Sequence, residues 1–446
     1  MISSIYKFEH EFLAVGERSS DGKNEFSKTH FQLLAKYLGT QKKSYLFETS
    51  YRKGKIGIKF NSYVGVITVK DLTIYVLPKA DKDAEDAEGD KTLWQERLTF
   101  MLSQVYKLKV QTTAPANLKW RPNVLLNIFL KKFLDEVAVL LNRGLIKTYR
   151  KTDGNRTALK GKLLFNKQIA YNCVHQERFY VRYTTYDYNH ILNRIIRQAL
   201  LAICDITNSS DIKGRATSTL FNFPELDEIA VTPELFSRLI FDRKSEDYRN
   251  VIKLAEMILL NYSPDLHHGN NHVWTLMFDM NKLWEEFVYV TLKCKLTGCT
   301  VMAQKQKPLW ESGSNKKTVR ADIVVEKSSD VFVLDTKWKM PRYDGKIAPS
   351  DADLHQMYVY LDVYGDNSTG EETGKAQKVA LLYPGQLSEV KGEFVIKPAN
   401  SAPTTKAQCD MLFLPGENYS PKSTNKTECR EWQEAMANRI STWLES

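Results

Sequence analysis

Apolar and polar positions alternate over three short stretches early in the chain. They predict strands at Lys55–Lys59, Tyr63–Val69 and Leu72–Leu77, separated by turn residues, with Pro78-Lys79 ending the last. A short helix is expected at Lys28–Leu38. Ala80–Asp90 carries many charges and little apolar content and reads as an exposed linker. From Trp94 the repeat lengthens to three and four. Glu96–Tyr106 and Val124–Leu141 read as helices, and Arg143-Gly144 supplies a stop for the second. Thr148–Thr157 is basic and turn-rich, Leu159–Phe165 a short strand leading into a helix, and Tyr186–Arg197 the start of a long helix with Asp187 near its beginning. A further helix is expected around Tyr248–Asn261.

The C-terminal part holds the most chemistry. Arg320-Ala-Asp322-Ile-Val-Val-Glu326 and Val331-Phe-Val-Leu-Asp335-Thr336-Lys337-Trp338 read as two strands around the polar turn Lys327–Asp330. Strand side chains alternate, so Asp335 and Lys337 share a face with Val331 and Val333. A four-residue loop pairs Glu326 with Val331 and puts Asp322 opposite Asp335, with cross-strand Cβ atoms roughly 4.5–5.5 Å apart. Two carboxylates so close repel unless a cation lies between them, and a hard divalent cation such as Mg²⁺ suits oxygen ligands. Next, Ser350 with Asp353 forms a helix-capping pattern, and Gln356 and Tyr360 stand four apart on one face of the helix it starts. A strand at Lys378–Pro384 follows. Upstream, Asp279–Val290 reads as a helix with Leu283, Phe287 and Val290 on one face.

The Asp…Asp-x-Lys hairpin resembles the core of PD-(D/E)xK nucleases, and the Gln-x-x-x-Tyr helix after it resembles the RecB-like branch of that superfamily. The resemblance implies Asp322, Asp335 and the Thr336 carbonyl as metal ligands, Lys337 beside the attacking water, Gln356 near the active site, and Tyr360 near DNA, with Arg320 beside it as a DNA contact. In many relatives an earlier helix adds an acidic ligand. Glu285 is the first candidate and Glu286 the second.

The ordered set Asn142-Arg-Gly144-Leu145, Leu159-Lys-Gly161-Lys162, Asp187, Asn193-Arg194, Arg249, Leu283-Trp-Glu285-Glu-Phe, and then the nuclease motifs, resembles the McrC family from about Phe60 onward. That implies a Mg²⁺-dependent DNA endonuclease subunit of a modification-dependent restriction system. Its implied partners are a McrB-like AAA+ GTPase, which binds the GTP, and modified double-stranded DNA. The N-terminal half would dock on the partner and stimulate it, with the basic Lys147–Arg156 segment as a candidate for insertion into its ring. The β-structure before Pro78 exceeds that of compact McrC subunits.

The implied fold class is multidomain α/β. A β-rich region at 1–90 and a mainly helical region at 91–265 precede a PD-(D/E)xK domain at 266–446, a mixed central sheet flanked by helices.

Bulk properties fit this picture. The chain has 446 residues, 43% hydrophobic and 11% aromatic, enough for more than one core. A formal charge of +10 and a pI near 9.0 favour a polyanionic partner. The six cysteines form no Cys-x-x-Cys pair, against a zinc ribbon and in favour of reduced thiols. His267, His268 and His272 read as a polar loop. No P-loop pattern is present, so no nucleotide site is expected on this chain. No apolar run is long enough to span a bilayer and the start lacks a signal peptide, so a cytoplasmic protein is expected. Two other readings compete: a non-catalytic adaptor that activates an AAA+ motor, and a RecB-like nuclease that processes DNA ends in repair.

Overall fold

The computed structural model describes residues 3–19, 22, 24–41, 46–79, 88–106, 124–207, 209–260, 262–263, 273–312, 315–328, 330–341, 348–365, 376–384, 393–396, 407–414 and 426–445. His267, His268, His272 and residues 80–87 of the expected linker lie outside this set.

The chain begins with β1 (Ser3–Phe8), β2 (Phe12–Ala14), α1 (Lys28–Gln41), β3 (Phe47–Arg52), β4 (Lys55–Phe60), β5 (Tyr63–Val69), β6 (Leu72–Leu77) and α2 (Glu88–Val105). Next come α3 (Val124–Arg143), β7 (Thr148–Arg156), β8 (Lys162–Leu163), α4 (Phe165–Asn172), β9 (Phe179–Asp187), α5 (Ile191–Ile206), α6 (Ser210–Phe221), α7 (Pro233–Ser237) and α8 (Arg249–Leu260). The remainder is β10 (Tyr262–Ser263), β11 (Val273–Asp279), α9 (Met280–Lys295), β12 (Thr300–Ser312), β13 (Asn315–Lys327), β14 (Asp330–Thr336), α10 (Asp351–Gly365), β15 (Ala376–Pro384), β16 (Glu393–Ile396), β17 (Ala407–Leu414) and α11 (Lys426–Glu445). This is a mixed α/β architecture. Among the described residues, no helix is long and apolar enough to cross a membrane.

Two compact units emerge: one from Met1–Ile67, Asp71–Pro122 and Met277–Ser446, the other from Thr68–Lys70 and Asn123–Leu276. In the first, β1 pairs in parallel with β6 from Ser3↔Leu72 to Phe8↔Leu77, and β2-β4-β3 form a small antiparallel sheet. Every residue of β6 is buried, so this strand is apolar throughout rather than alternating. The expected strands fall where the pattern put them. Glu88–Asp90, read as the end of the linker, instead opens α2. Acidic residues suit a helix N-terminus as well as they suit a linker, because the macrodipole favours negative charge there.

The same unit holds a six-stranded sheet of order β12-β13-β14-β15-β17-β16. β12, β13 and β14 run antiparallel, β14, β15 and β17 parallel, and β16 antiparallel to β17. Met357, Tyr360 and Tyr364 of α10 pack on one face against Val324, Val333, Val379 and Leu381. On the rest of the core, Phe332 meets Trp443 of α11 at 5.7 Å, and Phe287 of α9 stacks on Trp432 at 5.1 Å. α9 starts at Asp279, whose Oδ1 accepts from Asn281 N at 3.0 Å, an N-cap that fixes where the helix begins.

In the second unit, Gly144 ends α3 at φ 90°, a conformation glycine adopts without strain. Asn193 ties the helices to the chain entering β7: its Nδ2 donates to the carbonyls of Ile146 and Tyr188, each at 2.8 Å, and its Oδ1 accepts from Tyr248 Oη at 3.0 Å. The basic stretch expected as turn-rich is strand β7, paired along its length with β9. The cause is cross-strand. Tyr149 lies opposite Tyr186 with ring centres 4.5 Å apart, and Asp153 lies opposite Arg182. Arg182 bonds both oxygens of Asp153, at 2.7 and 2.9 Å, and so holds that carboxyl down at about 2. Asp187 is the last residue of β9, and α5 begins four residues later behind an N-cap from His190.

Candidate active site

The β13–β14 ladder runs from Lys327↔Asp330 through Glu326↔Val331 to Ile323↔Leu334. This is the register expected from the sequence, and Asp322 and Asp335 are the next positions along it. The turn is tighter than expected, because Lys327 and Asp330 pair instead of lying in the loop, and Ser328 takes φ 57° to close it.

Asp322 and Asp335 are fixed by different neighbours. Asp322 Oδ2 accepts from the Thr336 N–H at 2.9 Å and from the Thr336 hydroxyl at 3.1 Å. Asp335 is fully buried; its Oδ1 accepts from Gln356 Nε2 at 3.0 Å, and the Tyr360 hydroxyl oxygen lies 3.3 Å from it. Lys337 Nζ lies 2.6 Å from Asp335 Oδ2 but off the hydrogen-bonding line, so that oxygen is charge-paired without an aligned donor. Lys337 Nζ also donates to Gln356 Oε1 at 2.9 Å. Gln356 thus grips the lysine through its oxygen and Asp335 through its nitrogen. Burial, and next the charge of Asp322, push the Asp335 carboxyl up to about 6.

The helix that carries Gln356 starts as the sequence pattern indicated. Ser350 Oγ donates to Asp353 Oδ2 at 2.8 Å and accepts from Asp353 N at 3.3 Å, a capping box. Asp353 is itself buried and pairs with Lys339 at 2.6 Å.

Tyr360 departs from expectation. Its side chain is only 1% exposed, and its hydroxyl donates to the Arg320 carbonyl at 2.9 Å and accepts from Gln356 Nε2 at 2.7 Å. It sits in the core behind the carboxylate, with almost no exposed surface to offer a ligand. Arg320 itself is exposed and close enough for its charge to act on Glu285.

The structure separates the two helix carboxylates. Glu285 is half-buried and pushed up to about 7, first by burial and then by the charge of Asp322. Glu286 is exposed, and its charge acts on Tyr106. Glu285 is therefore the one turned toward the aspartates. Its Oε1 accepts from Gln304 Nε2. Gln304 was not legible as a site residue. On β12, Ala303 pairs with Ile323 and Lys305 with Ala321, while Gln304, opposite Asp322, drops out of the ladder at φ 55°. A non-glycine residue in that conformation marks a position held by its surroundings.

A second unexpected contact lies behind the lysine. Trp338 packs against Trp284 at 5.2 Å and Trp94 at 5.7 Å, so the residues following Lys337 and preceding Glu285 touch each other.

Among the described residues, no three His, Cys, Asp or Glu side chains converge as a ready-made metal cage. Mg²⁺ needs no such cage, since it keeps several waters and takes one or two carboxylates plus substrate phosphate. The buried Asp335, with an oxygen lacking an aligned donor, beside the half-buried Asp322 fits that requirement.

The chain is similar to known proteins. Residues 58–384 match the family described as McrBC 5-methylcytosine restriction system component. A relative from Escherichia coli strain K12, the type IV methyl-directed restriction enzyme EcoKMcrBC, is 22% identical over 299 residues, covering 64% of this chain and 85% of the relative. Among solved structures, a chain from the half-complex of the tetradecameric Thermococcus gammatolerans assembly of McrB AAA+ hexamers with bound McrC superposes with a TM-score of 0.58. It is 20% identical, and the match covers 98% of this chain and 100% of that one. The family match spans well over half of the sequence, and the chain belongs to the McrBC 5-methylcytosine restriction system component family.

Proposed function

We propose that this chain is the DNA-cleaving, McrC-type subunit of a modification-dependent restriction system, a PD-(D/E)xK endonuclease that hydrolyses phosphodiester bonds with Mg²⁺. The observation that carries the reading is the buried Asp335, set next to Asp322 in the hairpin register and paired with Lys337 at 2.6 Å. Asp322, Asp335 and the Thr336 carbonyl would hold the ion, with Glu285 at its edge. When bound, Mg²⁺ lowers the pKa of a water and offsets charge developing on the phosphate. Lys337 orients the nucleophilic water or donates to the phosphate. Gln356 fixes the lysine, and Tyr360 fixes Gln356 and Asp335. Arg320, exposed beside these groups, takes a phosphate of the substrate.

The family membership and the likeness to a chain of the archaeal assembly support a partner of the AAA+ GTPase class. That partner would bind GTP, read the modified base in double-stranded DNA, and be stimulated by this chain.

The test uses the full chain with its partner, GTP, Mg²⁺ and methylated duplex. Asp335→Ala should lower cleavage by on the order of 10³-fold while assembly and partner GTP hydrolysis persist. Undiminished cleavage by that variant would end the assignment.

A further inference from the structure

β13 outlasts its neighbour β14. The β13–β14 ladder stops at Ile323↔Leu334, but β12 and β13 remain paired out to Ser312↔Asn315. From Asp322 outward, the sheet therefore continues as a two-stranded ribbon. Its root is pinned where the third strand is lost: the Tyr360 hydroxyl donates to the Arg320 carbonyl, and the Tyr364 hydroxyl accepts from Ala321 N–H at 3.1 Å and donates to the Lys305 carbonyl. Those contacts satisfy backbone groups that would otherwise be orphaned.

The ribbon is cationic. Between positions 305 and 320 stand Lys305, Lys307, Lys316, Lys317 and Arg320 against the single carboxylate Glu311. Lys316, Lys317 and Arg320 are exposed. Strand alternation puts Lys316, Thr318, Arg320 and Asp322 on one side of β13, so Lys316 and Arg320 line up with an active-site aspartate, while Lys317 and its cross-strand partner Trp310 are on the other side. A bulge on β12 between Pro308 and Trp310 re-aims the strand, and beside it Leu309 and Trp310 are 40% and 49% exposed. Lysines alone could serve to protect an exposed sheet edge. An exposed tryptophan works against that purpose, and the shared side with Asp322 is not needed for it.

We infer that the β12–β13 ribbon is the duplex-DNA arm of the cleavage site, with Lys316 and Arg320, on the side of Asp322, on phosphates. This rests on the nuclease reading above. A two-stranded ribbon fits the major groove. Six residues from Asp322 to Lys316 span roughly 20 Å, about six base-pair steps from the scissile bond.

The experiment measures binding of a labelled methylated duplex by fluorescence anisotropy across a salt series. It uses full-length chain with partner, in the cleavage-inactive Asp335→Asn background. Lys316→Ala/Arg320→Ala should reduce the slope of log affinity against log salt by about two. Lys317→Ala, on the opposite side of the ribbon, should leave the slope unchanged. A charge-matched control, Lys53→Ala/Lys55→Ala in the β3–β4 turn, should behave as the parent. A parental slope in the Lys316→Ala/Arg320→Ala variant, a drop of similar size in Lys317→Ala, or an equal loss in the control, overturns the arm. So does a change in self-association by ultracentrifugation without a change in DNA binding, which would make the ribbon an interface between copies. Cleavage by the chain with Asp335 intact is scored separately. Cleavage present with an unaltered slope sinks the arm alone, whereas DNA neither bound nor cut sinks the nuclease reading and the arm with it.

Discussion

The indole N–H of Trp338 donates to Glu9 Oε1 over 2.6 Å, so the end of the first strand holds the residue that follows Lys337. Glu9 is fully buried, and the same oxygen accepts from the Lys79 backbone N–H, also at 2.6 Å. One carboxylate oxygen thus joins the ends of β1 and β6 to the end of β14.

Removing that acceptor strands two donors in the interior. An unsatisfied buried donor costs about 1–3 kcal/mol, so Glu9→Ala should destabilise the chain by roughly 2–5 kcal/mol. Glu9→Gln keeps an acceptor oxygen and should lose less. Urea unfolding of both variants measures the difference. Equal losses would mean that the charge of Glu9, not its acceptor role, supports the fold.

Much of the site was legible because it is local. The Glu326↔Val331 register, the shared face of Asp335 and Lys337, the Ser350–Asp353 box and the Gln356–Tyr360 pair all follow from strand and helix periods within a few dozen residues. What escaped depends on distance or on broken regularity. Glu9 and Trp338 lie 329 positions apart. Gln304 matters because it leaves the ladder, which a strand pattern does not register. Thr148–Arg156 looked turn-rich by itself, and only opposite Phe179–Asp187 do its polar residues find their partners. The resemblance implies Tyr360 near DNA, whereas the core packing sets its ring against the sheet.

The raised carboxyls give a pH dependence whose sign can be worked out. Asp335 titrates at about 6 and Glu285 at about 7, both above the ordinary carboxylate range and mainly because of burial. A group whose folded pKa lies above its unfolded value stabilises the fold while protonated. That contribution is complete below about pH 4 and is lost as pH rises through about 6 to 7. The metal-free chain should therefore melt at lower temperature at pH 8 than at pH 5.5, for these two groups. At the proposed site Mg²⁺ would need them ionised, so its stabilising effect should grow over the same interval and its binding should release protons near pH 6. Thermal melts with and without Mg²⁺ check this. A Mg²⁺-induced shift that is equal at both pH values, or one that survives in Asp335→Asn/Glu285→Gln, would contradict it.

Gln304 separates strain from function. Its φ of 55° costs a side-chain-bearing residue on the order of 1–2 kcal/mol, while its amide holds Glu285 beside Asp322. Gln304→Gly relieves the backbone and deletes the clamp, whereas Gln304→Ala deletes the clamp and keeps the strain. The glycine variant should be more stable than the alanine variant by about 1 kcal/mol in urea unfolding. Both should bind Mn²⁺, used as a calorimetric probe for Mg²⁺, about 10- to 100-fold more weakly than the parent, the usual cost of losing a group that orients a ligand. Cleavage should fall alongside affinity and recover in part at high metal concentration. If the glycine variant binds metal and cuts like the parent, the unusual backbone is only a feature of the strand, and Glu285 needs no partner to take its place.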